Sequence, residues 1–174
     1  MKLLLWIGVA TCLFTASAHA RAEVTQKDLQ VTARALSFLE SPFVGETRVG
    51  ILYDPESDRS TRQAEKVRMM LTGGLTVGEL SLVPIMVPID RAVNANVDLF
   101  FLTEYLGGLS ATISELVSSK AVPCVTTDIA QVRKGACAMA IQSATKVRVL
   151  VNRQAADMTG MKFTTVFRVM ITEL

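Results

Sequence analysis

Three short apolar runs that end in polar residues restrict this chain more than any other feature. Arg48–Tyr53 (RVGILY), Val97–Thr103 (VDLFFLT) and Ala121–Thr126 (AVPCVT) are rich in β-branched and aromatic residues and too short for helices. Helical periodicity follows the first two, over 60–71 and 110–120, opened by Ser60 and Ser110 as caps. Continuous apolar runs alternating with helices of this length predict an α/β sandwich, a mainly parallel sheet flanked by helices.

The remaining segments fit that frame. Thr25-Gln26-Lys27-Asp28 has the spacing of a capping box and opens a helix whose apolar face (Leu29, Ala33, Leu36, Leu39) runs to about Glu40. Gly73-Gly74 stops the helix before it. Leu75–Val87 reads as extended, with Pro84 and Pro88 confining it to an edge or splitting it. Asp128–Lys134 reads as a loop or turn. Ala136–Gln142 and Lys146–Asn152 read as a C-terminal hairpin, and Arg153–Thr159 as a short helix stopped by Gly160. Phe163–Leu174 is ambiguous between strand and helix. Neither repeats nor a low-complexity linker divide residues 21–174, which predicts one domain.

The first twenty residues read as a secretory signal. Lys2 supplies the positive start, Leu3–Phe14 an apolar core, and Ala18-His19-Ala20 a cleavage pattern that predicts a cut before Arg21. The expected location is the periplasm, with no membrane-spanning segment after cleavage. His19 and Trp6, the chain's only histidine and tryptophan, leave with the signal. Without histidine there is no Ser-His-Asp or Cys-His machinery and no His-ligated zinc, so no catalytic set, metal or cofactor is expected. With 18 basic against 16 acidic groups and no dense basic block, the charge gives no nucleic-acid footprint.

Two cysteines remain, Cys124 and Cys137. In an oxidising compartment an even pair defaults to a disulfide; two buried thiols on neighbouring strands are the alternative. In an open parallel sheet, ligands sit beyond the carboxyl ends of the strands, where strand order reverses. Asp54, Thr103, Glu104, Thr126, Thr127 and Asp128 end the three predicted strands, and Ser60 and Ser110 open the next helices. If the strands are neighbours, these eight residues share one rim suited to a small polar or anionic ligand. The same residue types also serve simply as caps and turn formers. Tyr105, Leu106 and Leu109, in a glycine-rich loop, are candidates for a partner-facing edge.

The C-terminal half carries a resemblance. It runs through Val97-Asp98-Leu99-Phe100-Phe101, then Val122–Asp128 and Gly135–Ile141. Val147–Asn152, Ala155-Ala156, Gly160-Met161 and Phe163–Met170 complete it. This succession resembles the YfiR-like family of periplasmic proteins over about Val97–Leu174. The resemblance implies an α/β protein that dimerises and binds the periplasmic sensor part of an inner-membrane diguanylate cyclase, restraining cyclic-di-GMP synthesis. It also implies a disulfide between Cys124 and Cys137, although the family's second cysteine pair is missing. Val49–Leu71 is similar instead to the first β-α unit of periplasmic substrate-binding proteins, which have two lobes. The expected function is therefore a non-enzymatic regulatory or interaction protein. The alternative is a single-lobed solute-binding protein.

Overall fold

A computed structural model describes residues 23–174; the signal predicted over residues 1–20 lies outside the described residues. The elements in chain order are α1 (Gln26–Leu36), β1 (Gly45–Tyr53), α2 (Asp58–Leu71), β2 (Leu75–Val77) and β3 (Leu80–Pro88). Next come β4 (Leu99–Leu102), α3 (Ser110–Lys120), β5 (Cys124–Thr126) and α4 (Ile129–Arg133). The chain ends with β6 (Met139–Gln142), β7 (Arg148–Val151), α5 (Arg153–Met158), α6 (Thr165–Arg168) and β8 (Thr172–Glu173). Short 3-10 turns at Ile89–Asn94 and Glu104–Leu109 precede and follow β4.

All eight strands form one sheet in the order β2-β3-β1-β4-β5-β6-β7-β8. The block β3-β1-β4-β5-β6 is parallel; β2 pairs antiparallel with β3 and β7 antiparallel with β6, while β8 runs parallel to β7. Numbered among themselves, the five parallel strands run 2-1-3-4-5, the doubly wound order. Helices cover both faces. α1, α2, α5 and α6 pack with Val49, Ile51, Leu99 and Phe101 in one core. α3, α4 and the 3-10 turns pack with Leu52, Phe100 and Leu102 in the other. The four residues of β4 thus alternate between two buried faces, which is why that run is apolar without a break.

Several boundaries differ from the sequence reading for local reasons. Leu75–Val87 is two strands, turned at Gly78 with φ +61°. Pro84 and Pro88 fall beyond the three residues that β2 covers, where β3 is the sheet edge and a missing donor is tolerated. Helix α1 stops at Leu36, and Leu39 pairs with Phe163 in a bridge instead. Asp128 caps a short helix, α4, where a loop was expected. The predicted hairpin is present as β6–β7. The ambiguous tail holds both a helix and a strand, α6 and β8.

Glycine at position 50 is required by packing. A Cβ there would lie 2.9 Å from Val97 Cγ1 and 3.1 Å from Phe100 Cδ1. Gly50→Ala is expected to cost about 1–3 kcal/mol through overpacking, read as a lower urea midpoint with an unchanged slope.

The strand β8 is held by charge. Arg168 Nε donates to Glu173 Oε1 at 2.8 Å, and Arg153 Nη2 donates to Glu173 Oε2. These two guanidinium groups hold the Glu173 carboxyl down to about 2, with Arg168 the larger cause. A depressed carboxyl stabilises the fold above its unfolded value and loses that contribution as pH falls through the folded one. The stability difference between the native chain and Glu173→Gln is therefore expected at neutral pH. It should close between about pH 4.5 and about 2 in urea titrations.

Candidate functional site

The strand order places the reversal between β1 and β4, since the chain leaves β1 for β3 on one side and returns to β4 on the other. Leu52 is level with Leu102, and Leu102 with Thr126, so the three strands end on one rim. Asp54, Thr103, Glu104, Thr126, Thr127 and Asp128 therefore lie at adjoining strand ends.

Most of these groups are turned on one another. Ser60 Oγ accepts from Asp54 N at 3.0 Å and lies 2.8 Å from Thr103 Oγ1. Thr127 Oγ1 donates to Glu104 Oε1 at 2.8 Å, and Thr126 Oγ1 donates to Leu102 O at 3.2 Å. Ser60, Thr103, Glu104, Thr126 and Thr127 are buried. Buried hydroxyls must find partners, and here they knit β1, β4 and β5 into a polar floor. Asp54 and Asp128 are partly exposed; each accepts from the backbone of the following turn, at Glu56 N and Ala130 N.

Two of the expected caps are corrected. Ser57 caps α2, because the Asp54-Pro55 turn is short enough for the helix to begin at Asp58. Ser60 is left inside the first turn, free to bridge strands. Leu109 occupies the cap of α3 with no side-chain bond, since the 3-10 turn runs straight into the helix. Ser110 instead donates from Oγ to Gln131 Oε1 at 3.1 Å. Leu106 is also corrected: it is fully buried in the second core and faces no partner. Of that trio, Tyr105 is exposed and Leu109 half-buried.

Two clefts lie near this rim, and of the five buried residues only Thr127 borders either of them. Gln63 reaches from α2 to accept from Glu104 N at 2.6 Å. It borders a cleft of about 430 Å³ with Glu23, Arg59, Arg62 and Tyr105. A second cleft of about 390 Å³ shares Glu23 and is bordered by Asp28, Thr127, Gln142, Ser143, Lys146 and Arg148 among others. Asp28 is buried. Its Oδ1 accepts from Ser143 N and Oγ at 2.8 and 2.7 Å, and its Oδ2 from Thr25 N and Oγ1 at 2.9 and 2.7 Å. The expected capping box is present, and its carboxylate also ties α1 to the β6–β7 turn. The signal for Gln63 was a polar residue at a core position of α2, in series with Ser60, Ala64, Val67 and Leu71.

Cys124 and Cys137 form a disulfide, with Cα atoms 5.0 Å apart. It joins β5 to the segment entering β6 and encloses Thr126-Thr127-Asp128. Among the described residues no helix is long and apolar enough to cross a membrane.

No protein-family model matches the chain, and no curated protein does. Solved structures share its fold. One is a substrate-binding protein with adhesive properties from Clostridium difficile, in its ligand-free, open form. It has a TM-score of 0.61 and 10% identity, over 88% of this chain and 60% of that one. A conserved domain protein from Vibrio cholerae gives 0.58 and 10%, over 85% and 59%. An ABC domain in complex with L-Trp from Streptococcus pneumonia gives 0.60 and 14%, over 84% and 60%. The chain thus spans about three fifths of the length of these structures. What the chain shares with these structures is the α/β fold.

Proposed function

We propose that this chain is a non-enzymatic, periplasmic solute-binding domain that holds a small polar ligand where β1 and β4 diverge. The observation that carries this reading is that two clefts sharing Glu23 lie at the rim where β1, β4 and β5 end, one bordered by Thr127 and the other by Gln63, whose Oε1 accepts from Glu104 N. A doubly wound sheet binds ligands at this point because diverging loops leave a crevice above the carboxyl ends. The shared architecture of substrate-binding proteins supports the same assignment, as does the Cys124–Cys137 disulfide for an oxidising compartment.

Thermal-shift screening of amino acids, sugars and small organic acids tests it. A solute at about 100 times its Kd should stabilise the fold by about 2.7 kcal/mol. No shift with any solute class would count against the reading.

A second reading, the YfiR-like regulator, is favoured by a different observation. Val166, Val169, Met170 and Leu174 are exposed apolar side chains on the segment that carries that resemblance. On this reading the tail docks on the sensor part of an inner-membrane protein such as a diguanylate cyclase, or on a second copy. Capture of such a protein from membrane extract, abolished by Val169→Glu, would support it. Equal capture by both chains would contradict it.

A further inference from the structure

We propose that the cleft between α2 and Tyr105 is an oxyanion subsite, taking the carboxylate or phosphate group of the ligand. This rests on the ligand-binding reading and names the ligand's chemistry. Arg59, Arg62 and Gln63 are spaced i, i+3, i+4 on α2, so they share one helix face, and all three border the cleft. Both arginines are exposed, and among the described residues neither guanidinium has an ion pair or hydrogen bond. The neighbouring cations differ. Lys66 pairs with Glu23 at 2.6 Å and Arg68 with Glu65 at 2.8 Å.

Gln63 supplies an independent indication. It is 6% exposed, and its Oε1 is taken by the Glu104 backbone N–H. That bond requires oxygen at this position, so the amide cannot be turned round, and its NH₂ is the group left over. Among the described residues the NH₂ has no partner. The fully buried polar atom without a partner among the described residues is Gln131 Nε2, so the Gln63 NH₂ keeps contact with solvent, and a ligand oxygen would take the place of water there. The bordering side chains therefore offer two guanidinium forks and an amide donor. The acidic one, Glu23, is already engaged by Lys66. Groups that only accept, with oxygens in a fixed array, match that set; paired arginine donors favour carboxylate and phosphate. The cleft opens beside the first two turns of α2, whose dipole adds to the same preference. Tyr105 leaves an aromatic ring, 37% exposed, for the rest of the ligand.

The test is calorimetric titration of the exported chain with citrate, inorganic phosphate and glucose, in a buffer without competing oxyanions. At least one of the two anions should bind saturably. The double variant Arg59→Gln/Arg62→Gln should weaken it on the order of tenfold or more, and so should Gln63→Glu. Arg133→Gln/Lys134→Gln, which makes the same change in net charge elsewhere on the surface, should leave binding intact. Equal loss in that control, or none in the arginine pair, would overturn the subsite. If glucose binds and neither anion does, the subsite fails while the solute-binding reading stands. If none of the three binds, the subsite fails, and the wider solute screen decides the reading beneath it.

Discussion

Asp28→Ala is expected to lower the unfolding free energy by about 2–4 kcal/mol. Two separate losses add. The capping box of α1 disappears, worth about 1 kcal/mol. The Ser143 N–H, buried and bonded to Asp28 Oδ1 at 2.8 Å, is left without its acceptor, at about 1–3 kcal/mol. Thr25→Ala removes only the cap and should cost about 1 kcal/mol, so the two variants separate local from long-range contributions. Urea denaturation reads both. If Asp28→Ala is no worse than Thr25→Ala, the link from α1 to the β6–β7 turn contributes nothing. Because Asp28, Thr127 and Ser143 border the same cleft, its loosening should also weaken any ligand held there.

The second large effect is expected from the disulfide. Closing a loop of about 14 residues stabilises a fold by about 3 kcal/mol, chiefly by restricting the denatured chain. Cys124 and Cys137 are fully buried, so a reductant acts only through opening of the structure, and intact protein should resist mild reduction. Cys124→Ala/Cys137→Ala should lose about 3 kcal/mol in urea titrations. An unchanged midpoint would mean that the two sulfurs are not joined in the protein as isolated. The same variant should fray the Thr126-Thr127-Asp128 corner first, since the loop closed by the bond contains it.

The architecture was legible because burial on both faces of a parallel sheet writes itself as unbroken apolar runs. Leu99-Phe100-Phe101-Leu102 is the clearest case, and the run at β1 differs only by Gly50, whose place is fixed by Phe100 and Val97. Strand order was not legible, because nothing within a strand names its neighbour. The rim could be stated only on the condition that β1, β4 and β5 adjoin, which they do. Its residues were read by type, so their roles were partly misassigned. Ser60 looks like a cap in sequence, but the preceding turn gives that role to Ser57 and frees Ser60 to bridge two strands. Asp28 was read through the residues three before it; its bonds to Ser143 depend on a contact across most of the chain. Leu106 illustrates the opposite limit: a glycine-rich surround suggested exposure, whereas a 3-10 turn swings it inward.

Amide chemical-shift mapping tests the central assignment most directly, using a solute that the thermal screen finds to bind. The account predicts perturbations at Arg59–Gln63, Thr103–Tyr105 and Thr127, with little change along α6 and β8. Shifts confined to Val166–Leu174, with the rim between β1 and β4 unmoved, would contradict it.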